Sequence, residues 1–271
     1  MGIVNVTPDS FSDGGRFDSA TAAADHARSL VAEGADIVDI GGESTRPGAQ
    51  AVALDEERRR VLPVLEKLSG LAVPVSVDTR KPALMREALA AGAAMINDIE
   101  ALQSPEAMEV AAGTDAGICL MHKRGVPADM QRDPRYDNVV AEVAGFLATR
   151  FHAARAAGIA PERIVVDPGF GFGKTLAHNL QLLHCLREIA PDGVAVLAGI
   201  SRKSMLGQIT GRDAGQRVHA SIAAALIAVQ NGAQILRVHD VAATRDALAV
   251  LAAVGRGGLN RAAPQGGAGT A

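Results

Sequence analysis

Eight short apolar runs, each followed by a longer amphipathic stretch, set the narrowest limit on what this chain can fold into. The runs lie at 2–6, 36–40, 74–77, 94–97, 117–121, 163–166, 194–198 and 234–238. Each is too short for a helix and rich in Ile, Val or Leu, as suits a strand covered on both faces. Helical spacing fills the gaps at 19–34, 82–91, 104–112, 138–157, 176–189, 216–231 and 241–254. Ser19 is the expected cap of the first of these and Gly34 its stop. A further helix is expected over 54–68, kinked or broken at Pro63. The pairs Gly34-Ala35, Gly92-Ala93 and Gly232-Ala233 each close a helix just before a strand.

Eight strand–helix units in one uninterrupted chain predict an α/β fold, a (β/α)8 TIM barrel of a single domain spanning 1–254. An open doubly wound sheet would want a Gly-rich turn leading at once into a helix. Here a long polar loop, 7–17, follows the first strand instead. The Gly/Ala-rich stretch 255–271 is aperiodic and is expected to be disordered. Aromatic residues make up only 3% of the chain, so the core must be built from Ala, Val, Leu and Ile.

The remaining composition excludes several partners. A net charge of −3 gives no field drawing the chain to nucleic acid or a membrane surface. No apolar stretch has the length of a membrane span, and the start lacks a signal-peptide pattern. Cys119 and Cys185 lack metal-ligand spacing, and two thiols are too few for a disulfide framework, which favours the reducing cytoplasm.

In a barrel, chemistry collects where the strands end. Those ends carry Asn5, Asp39, Asp78, Asn97, His122, Asp167, Lys203, Arg237 and His239. Asp78, Asn97 and Asp167 suit a flat heterocycle with several N–H donors, because a carboxylate can take two parallel N–H bonds. Arg237 and His239 are two apart on a strand, so they face the same way, and with Asn5 they suit an oxyanion such as a diphosphate. Lys203 and Ser204 open a short helix, a site for a carboxylate. Two motifs are decoys. The run from Gly169 to Lys174 and Thr175 ends like a P-loop, but Pro168 stands where the pattern needs its first glycine. The seven histidines are scattered without metal-binding spacing. His26, His152, His178, His184 and His219 read as surface or packing residues, while the role of His122 stays open.

The motifs then point to a family. IVNVTPDSFSDGG over 3–15 and DIVDIGGESTRPG over 36–48 resemble the two loop signatures of dihydropteroate synthases. VSVDTR at 75–80, INDI at 96–99, LMH at 120–122, DPGFGFGK at 167–174, GISRKS at 199–204 and RVHD at 237–240 follow in family order. Lys123 and Ala220 stand where relatives often carry Met and Gly. Met1 already lies within the segment that usually precedes the first strand, so either a truncated start or numbering that begins internally is expected, and with it a barrel floor that lacks a cover.

The resemblance implies a transferase that joins 6-hydroxymethyl-7,8-dihydropterin diphosphate to p-aminobenzoate, releasing diphosphate, in folate biosynthesis. It implies that Asp78, Asn97, Asp167 and Lys203 hold the pterin, with Asp78, Asp167, Lys203 and Arg237 as the catalytic set. Diphosphate and Mg2+ would lie by Asn5, Asp13, Arg237 and His239. Thr45, Arg46, Pro47, Phe172, the Lys203 stem and Ser204 would receive p-aminobenzoate, the position that sulfonamides target. A homodimer is the family habit. Two alternatives remain at this point: a pterin-binding methyltransferase acting on a corrinoid protein, and an inactive barrel serving as a regulatory subunit.

Overall fold

The computed structural model describes residues 1–7, 16–44, 49–125 and 130–259. Eight parallel strands form one sheet in chain order: β1 Gly2–Asn5, β2 Val38–Gly41, β3 Val75–Asp78, β4 Met95–Asp98, β5 Gly117–Met121, β6 Ile164–Asp167, β7 Ala195–Ala198 and β8 Ile235–Leu236. The sheet closes on itself: Ile3 N–H donates to Val238 O at 3.0 Å, and Val238 N–H donates to Met1 O at 2.9 Å. This is the expected (β/α)8 barrel.

Nine helices are described around it: α1 Arg16–Ala32, α2 Leu54–Lys67, α3 Pro82–Ala90, α4 Pro105–Ala112, α5 Val139–Ala156, α6 Leu176–His184, α7 Ser204–Thr210, α8 Val218–Gln230 and α9 Val241–Leu259. The glycine stops act as expected. Gly34, Gly92 and Gly232 have φ of 98°, 98° and 109°. The alanine after each donates back across the helix end, Ala35 to Leu30 O, Ala93 to Ala88 O and Ala233 to Ala228 O. That is the Schellman arrangement, which needs a left-handed residue and so favours glycine. None of the described helices is long and apolar enough to cross a membrane.

Three boundaries differ from expectation, and of the kink or break expected at Pro63 the break does not occur. α1 begins at Arg16, so Ser19 stands inside its first turn rather than capping it; serine there costs a helix little. α2 runs through Pro63 without a break. The carbonyl that Pro63 leaves unbonded belongs to exposed Arg59, where solvent can take it. The stretch 176–189 divides into α6 and a 3-10 turn over Leu186–Glu188. α9 continues through Gly255 to Leu259, where the tail was expected to have begun; no proline interrupts it. Residues 260–271 lie outside the described residues.

Strand register sets the mouth. Asn5, Gly41, Asp78, Asn97 and Cys119 are consecutive Cα partners across β1 to β5. One pleat below, Ile3, Asp39, Ser76 and Met95 form the next layer. The lower interior is apolar, with Met1, Met95, Cys119 and Leu197 packed together. Polar side chains gather at the strand ends, Asn5, Asp78, Asn97 and Asp167 among them, with Asp39 and Ser76 one layer below.

Candidate active site

The mouth is organised by one buried carboxylate that sequence reasoning left outside the site. Asp39 is 0% exposed. Its Oδ2 accepts from Asn97 Nδ2 at 3.1 Å and from Arg237 Nε at 2.6 Å. Arg237 Nη2 donates in turn to Asp78 Oδ2 at 2.9 Å. Four strands, β2, β3, β4 and the end of β8, are tied together by this network. Strand parity was the available signal, since Asp39 and Gly41 alternate on β2 and so share the inward face.

Arg237 therefore sits among the carboxylates rather than apart with His239. Asp39 and Asp78 stabilise its charge and raise its pKa although burial opposes them. Burial pushes Asp78 up to about 7, with Arg237 opposing and Asp39 reinforcing. His239 takes a separate place, its Nδ1 lying 3.0 Å from Ser201 Oγ.

Across the mouth, Asp167 Oδ1 accepts from Gly169 N–H at 2.7 Å. Burial raises its pKa, against the pull of Lys203. Lys203 donates to Phe170 O, and its ammonium stands 4.5 Å from the Phe172 ring centre. Burial lowers Lys203 to about 8, and Asp167 resists that. Ser204 opens α7 and is exposed.

Two glycines keep the space between these groups open. A Cβ on Gly41 would lie 3.6 Å from Asp78 Cβ and 3.9 Å from Asn5 Oδ1. One on Gly199 would lie 3.8 Å from Asp167 Oδ2 and 3.9 Å from Arg237 Cβ. Carboxylates, an amide and two cations then border a site with bare backbone at Gly41 and Gly199, a shape suited to a flat, donor-rich ring.

The P-loop reading of residues 169–174 is excluded by polarity. Lys174 is 2% exposed. Its ammonium is surrounded by His122 Nδ1, Gly169 O and Phe172 O, each at 3.0 Å. The loop aims carbonyls at cations, whereas a phosphate cradle aims N–H groups at an anion. His122 is buried, and desolvation with the nearby charge of Lys174 lowers it to about 3. Burial lowers Lys174 itself to about 7, with Asp167 opposing. The open question about His122 is thus answered: it is a neutral buried acceptor, not a ligand at the mouth.

The structure brings together Asp78, Asn97, Asp167, Lys203 and Arg237, with Asn5 beside Gly41, Phe172 against Lys203 and His239 on Ser201. Asp13, Thr45, Arg46 and Pro47 lie outside the described residues. Magnesium fits what is present. Asn5 offers a neutral oxygen at the open mouth, and this hard cation takes few protein oxygens when a phosphate group supplies others. Among the described residues no group of three or more His, Cys, Asp or Glu could hold a metal by itself.

Residues 1–239 match the family described as "Pterin binding enzyme". A dihydropteroate synthase of Neisseria meningitidis serogroup C is 55% identical over 260 residues, covering 94% of this chain and 92% of its own. The Xanthomonas albilineans dihydropteroate synthase solved with 4-aminobenzoic acid has a TM-score of 0.89 at 56% identity, over 94% of this chain and 92% of that one. The Burkholderia cenocepacia enzyme complexed with 7,8-dihydropteroate has a TM-score of 0.88 at 50% identity, over 96% and 92%. This chain belongs to the dihydropteroate synthase family of pterin-binding enzymes.

Proposed function

We propose that the mouth works in two halves, a pterin side built on the Asp39–Asn97–Arg237–Asp78 network with Asp167, and an arylamine side built on Phe172, Lys203 and Ser204. The reaction is that of the family: a pterinylmethyl group passes from its diphosphate to the amine of p-aminobenzoate, giving 7,8-dihydropteroate and diphosphate. High identity over nearly the whole chain favours this over a corrinoid-linked methyltransferase or an inactive barrel. The observation that carries the pterin side is the Arg237 bridge, which joins the carboxylates of the ring pocket to the strand end bearing His239, and the arylamine side rests on Lys203 against the Phe172 ring.

Asp167 and Asn97 hold and orient the ring. Arg237, fixed by two carboxylates, faces the leaving group while Asp78 and Asp167 favour positive charge at the methylene carbon. The diphosphate departs first, and the neutral amine then attacks, so no strong base is required. Magnesium, held by Asn5 with Asp13, would neutralise the leaving charge when bound. His239 and Ser201 flank the diphosphate. Thr45, Arg46 and Pro47 would receive p-aminobenzoate, and sulfonamides would take the same place once pterin and diphosphate are bound.

A homodimer is supported by the surface. Among the described residues the exposed large apolar side chains are Leu180, Ile209, Ile227, Val250 and Val254, and they lie on the consecutive helices α6 to α9. Two free thiols, Cys119 and Cys185, suit the cytoplasm. Calorimetric titration of His239→Ala tests the placement of the diphosphate within the pterin side. Affinity for the pterin diphosphate should fall, with free pterin unaffected; equal losses for both would end the assignment.

A further inference from the structure

Every carbonyl from Gly169 to Gly173 has a side-chain donor. Lys174 holds those of Gly169 and Phe172, Lys203 that of Phe170, Gln131 Nε2 that of Gly171 at 2.8 Å, and Tyr136 Oη that of Gly173 at 2.9 Å. The backbone is left-handed at Gly169, Gly171 and Gly173, with φ of 66°, 80° and 63°. A side chain at Gly169 would collide with His122 O, and one at Gly173 with Arg124 O. The loop is therefore pressed tightly against the segment after β5. The two lysines grip it from opposite sides, Lys203 at the mouth and Lys174 in the interior.

Lys203 depends on this loop for its shape. Its Cδ is 3.4 Å from where a Cβ on Gly171 would sit, its ammonium bonds Phe170 O, and the Phe172 ring lies beside it. Removing the Lys174 ammonium would leave the carbonyls of Gly169, Phe172 and His122 converging without the donor they share, and acceptors so placed repel. The strands beneath would hold, because Asp167 belongs to β6 and Asn97 to β4.

We propose that Lys174 is a positioning residue for the arylamine: by clasping the 169–173 loop to His122, it sets Phe172 and Lys203 at the spacing that receives the p-aminobenzoate ring. This rests on the reading that Phe172 and the Lys203 stem flank that ring. Small displacements of positioning groups can cost a factor of about a hundred in rate.

The test is steady-state kinetics of Lys174→Met, which keeps the length and loses the donors. KM for p-aminobenzoate should rise about tenfold, with KM for the pterin diphosphate changed less than about twofold. His122→Phe, which keeps the ring against Phe146 and loses the acceptor, should shift the same KM in the same direction and serves if Lys174→Met fails to fold. In a Phe172→Leu background, Lys174→Met should raise that KM by clearly less than it does in the wild type, because one of the two groups it positions is gone. Equal rises in both KM values, or a full effect persisting in Phe172→Leu, would overturn the proposal. A raised KM in Phe172→Leu with an unchanged one in Lys174→Met would overturn the clasp alone. An unchanged KM in Phe172→Leu would overturn the placement of the arylamine, and the clasp's purpose with it.

Discussion

Replacing Arg237 with Met tests the central bridge. The variant keeps much of the aliphatic stem and removes the guanidinium, which is 19% exposed in its side chain and bonds Asp39 at 2.6 Å and Asp78 at 2.9 Å. Each charge-assisted bond contributes about 1.5–3 kcal/mol. Leaving a buried partner uncompensated costs about 3–5 kcal/mol. Both figures describe the same loss, so the expected destabilisation is about 3–5 kcal/mol, not their sum. At about 2–4 °C per kcal/mol for a chain approaching this size, Tm should fall by about 6–20 °C. Adding Asp39→Asn removes the stranded charge while leaving an oxygen for Asn97, so Arg237→Met with Asp39→Asn should recover a substantial part of that loss. Activity should not recover, because the leaving group still lacks its cation. Urea denaturation and diphosphate-release assays on the wild type, single and double variants read both quantities. A double variant less stable than Arg237→Met would refute the argument that the buried charge is the cost.

Asp167→Asn should weaken pterin binding by about 10- to 150-fold, the equivalent of one charge-assisted bond, in calorimetric titration. Gly199→Ala should leave Tm within about 2 °C, because its methyl makes only ordinary contacts, yet lower pterin affinity by roughly tenfold by filling space in the site. Burial raises Asp98 from 3.8 to about 6, against its bonds from Glu100 and Leu102 N–H. Because the folded chain holds this proton more tightly than the unfolded one, the associated stability is present below about pH 4 and lost as pH rises through about 6. The stability difference between wild type and Asp98→Asn should therefore shrink as pH rises from 4 to 6 in urea denaturation; a difference that grows over that range would reverse the sign.

The barrel was legible because its strands and glycine stops are local signals repeated around the chain. The Gly34, Gly92 and Gly232 stops could be read because one backbone conformation demands one residue type. The group at the mouth could be read from strand ends. What could not be read was which groups pair. Arg237 and His239 share strand spacing, but that spacing says nothing of the partners Asp39 and Asp78, which Arg237 meets at separations of 198 and 159 residues. Lys174 was visible only as a failed P-loop, since its acceptors are backbone carbonyls and one histidine 52 residues away. Backbone acceptors leave no trace in side-chain patterns.

Diphosphate release and dihydropteroate formation, measured together with the purified chain and magnesium, test the central claim most directly. With both pterin diphosphate and p-aminobenzoate the two products should appear in equal amounts, and Arg237→Met should suppress both together. Sustained diphosphate release with no dihydropteroate formed, or equal turnover in Arg237→Met, would contradict it.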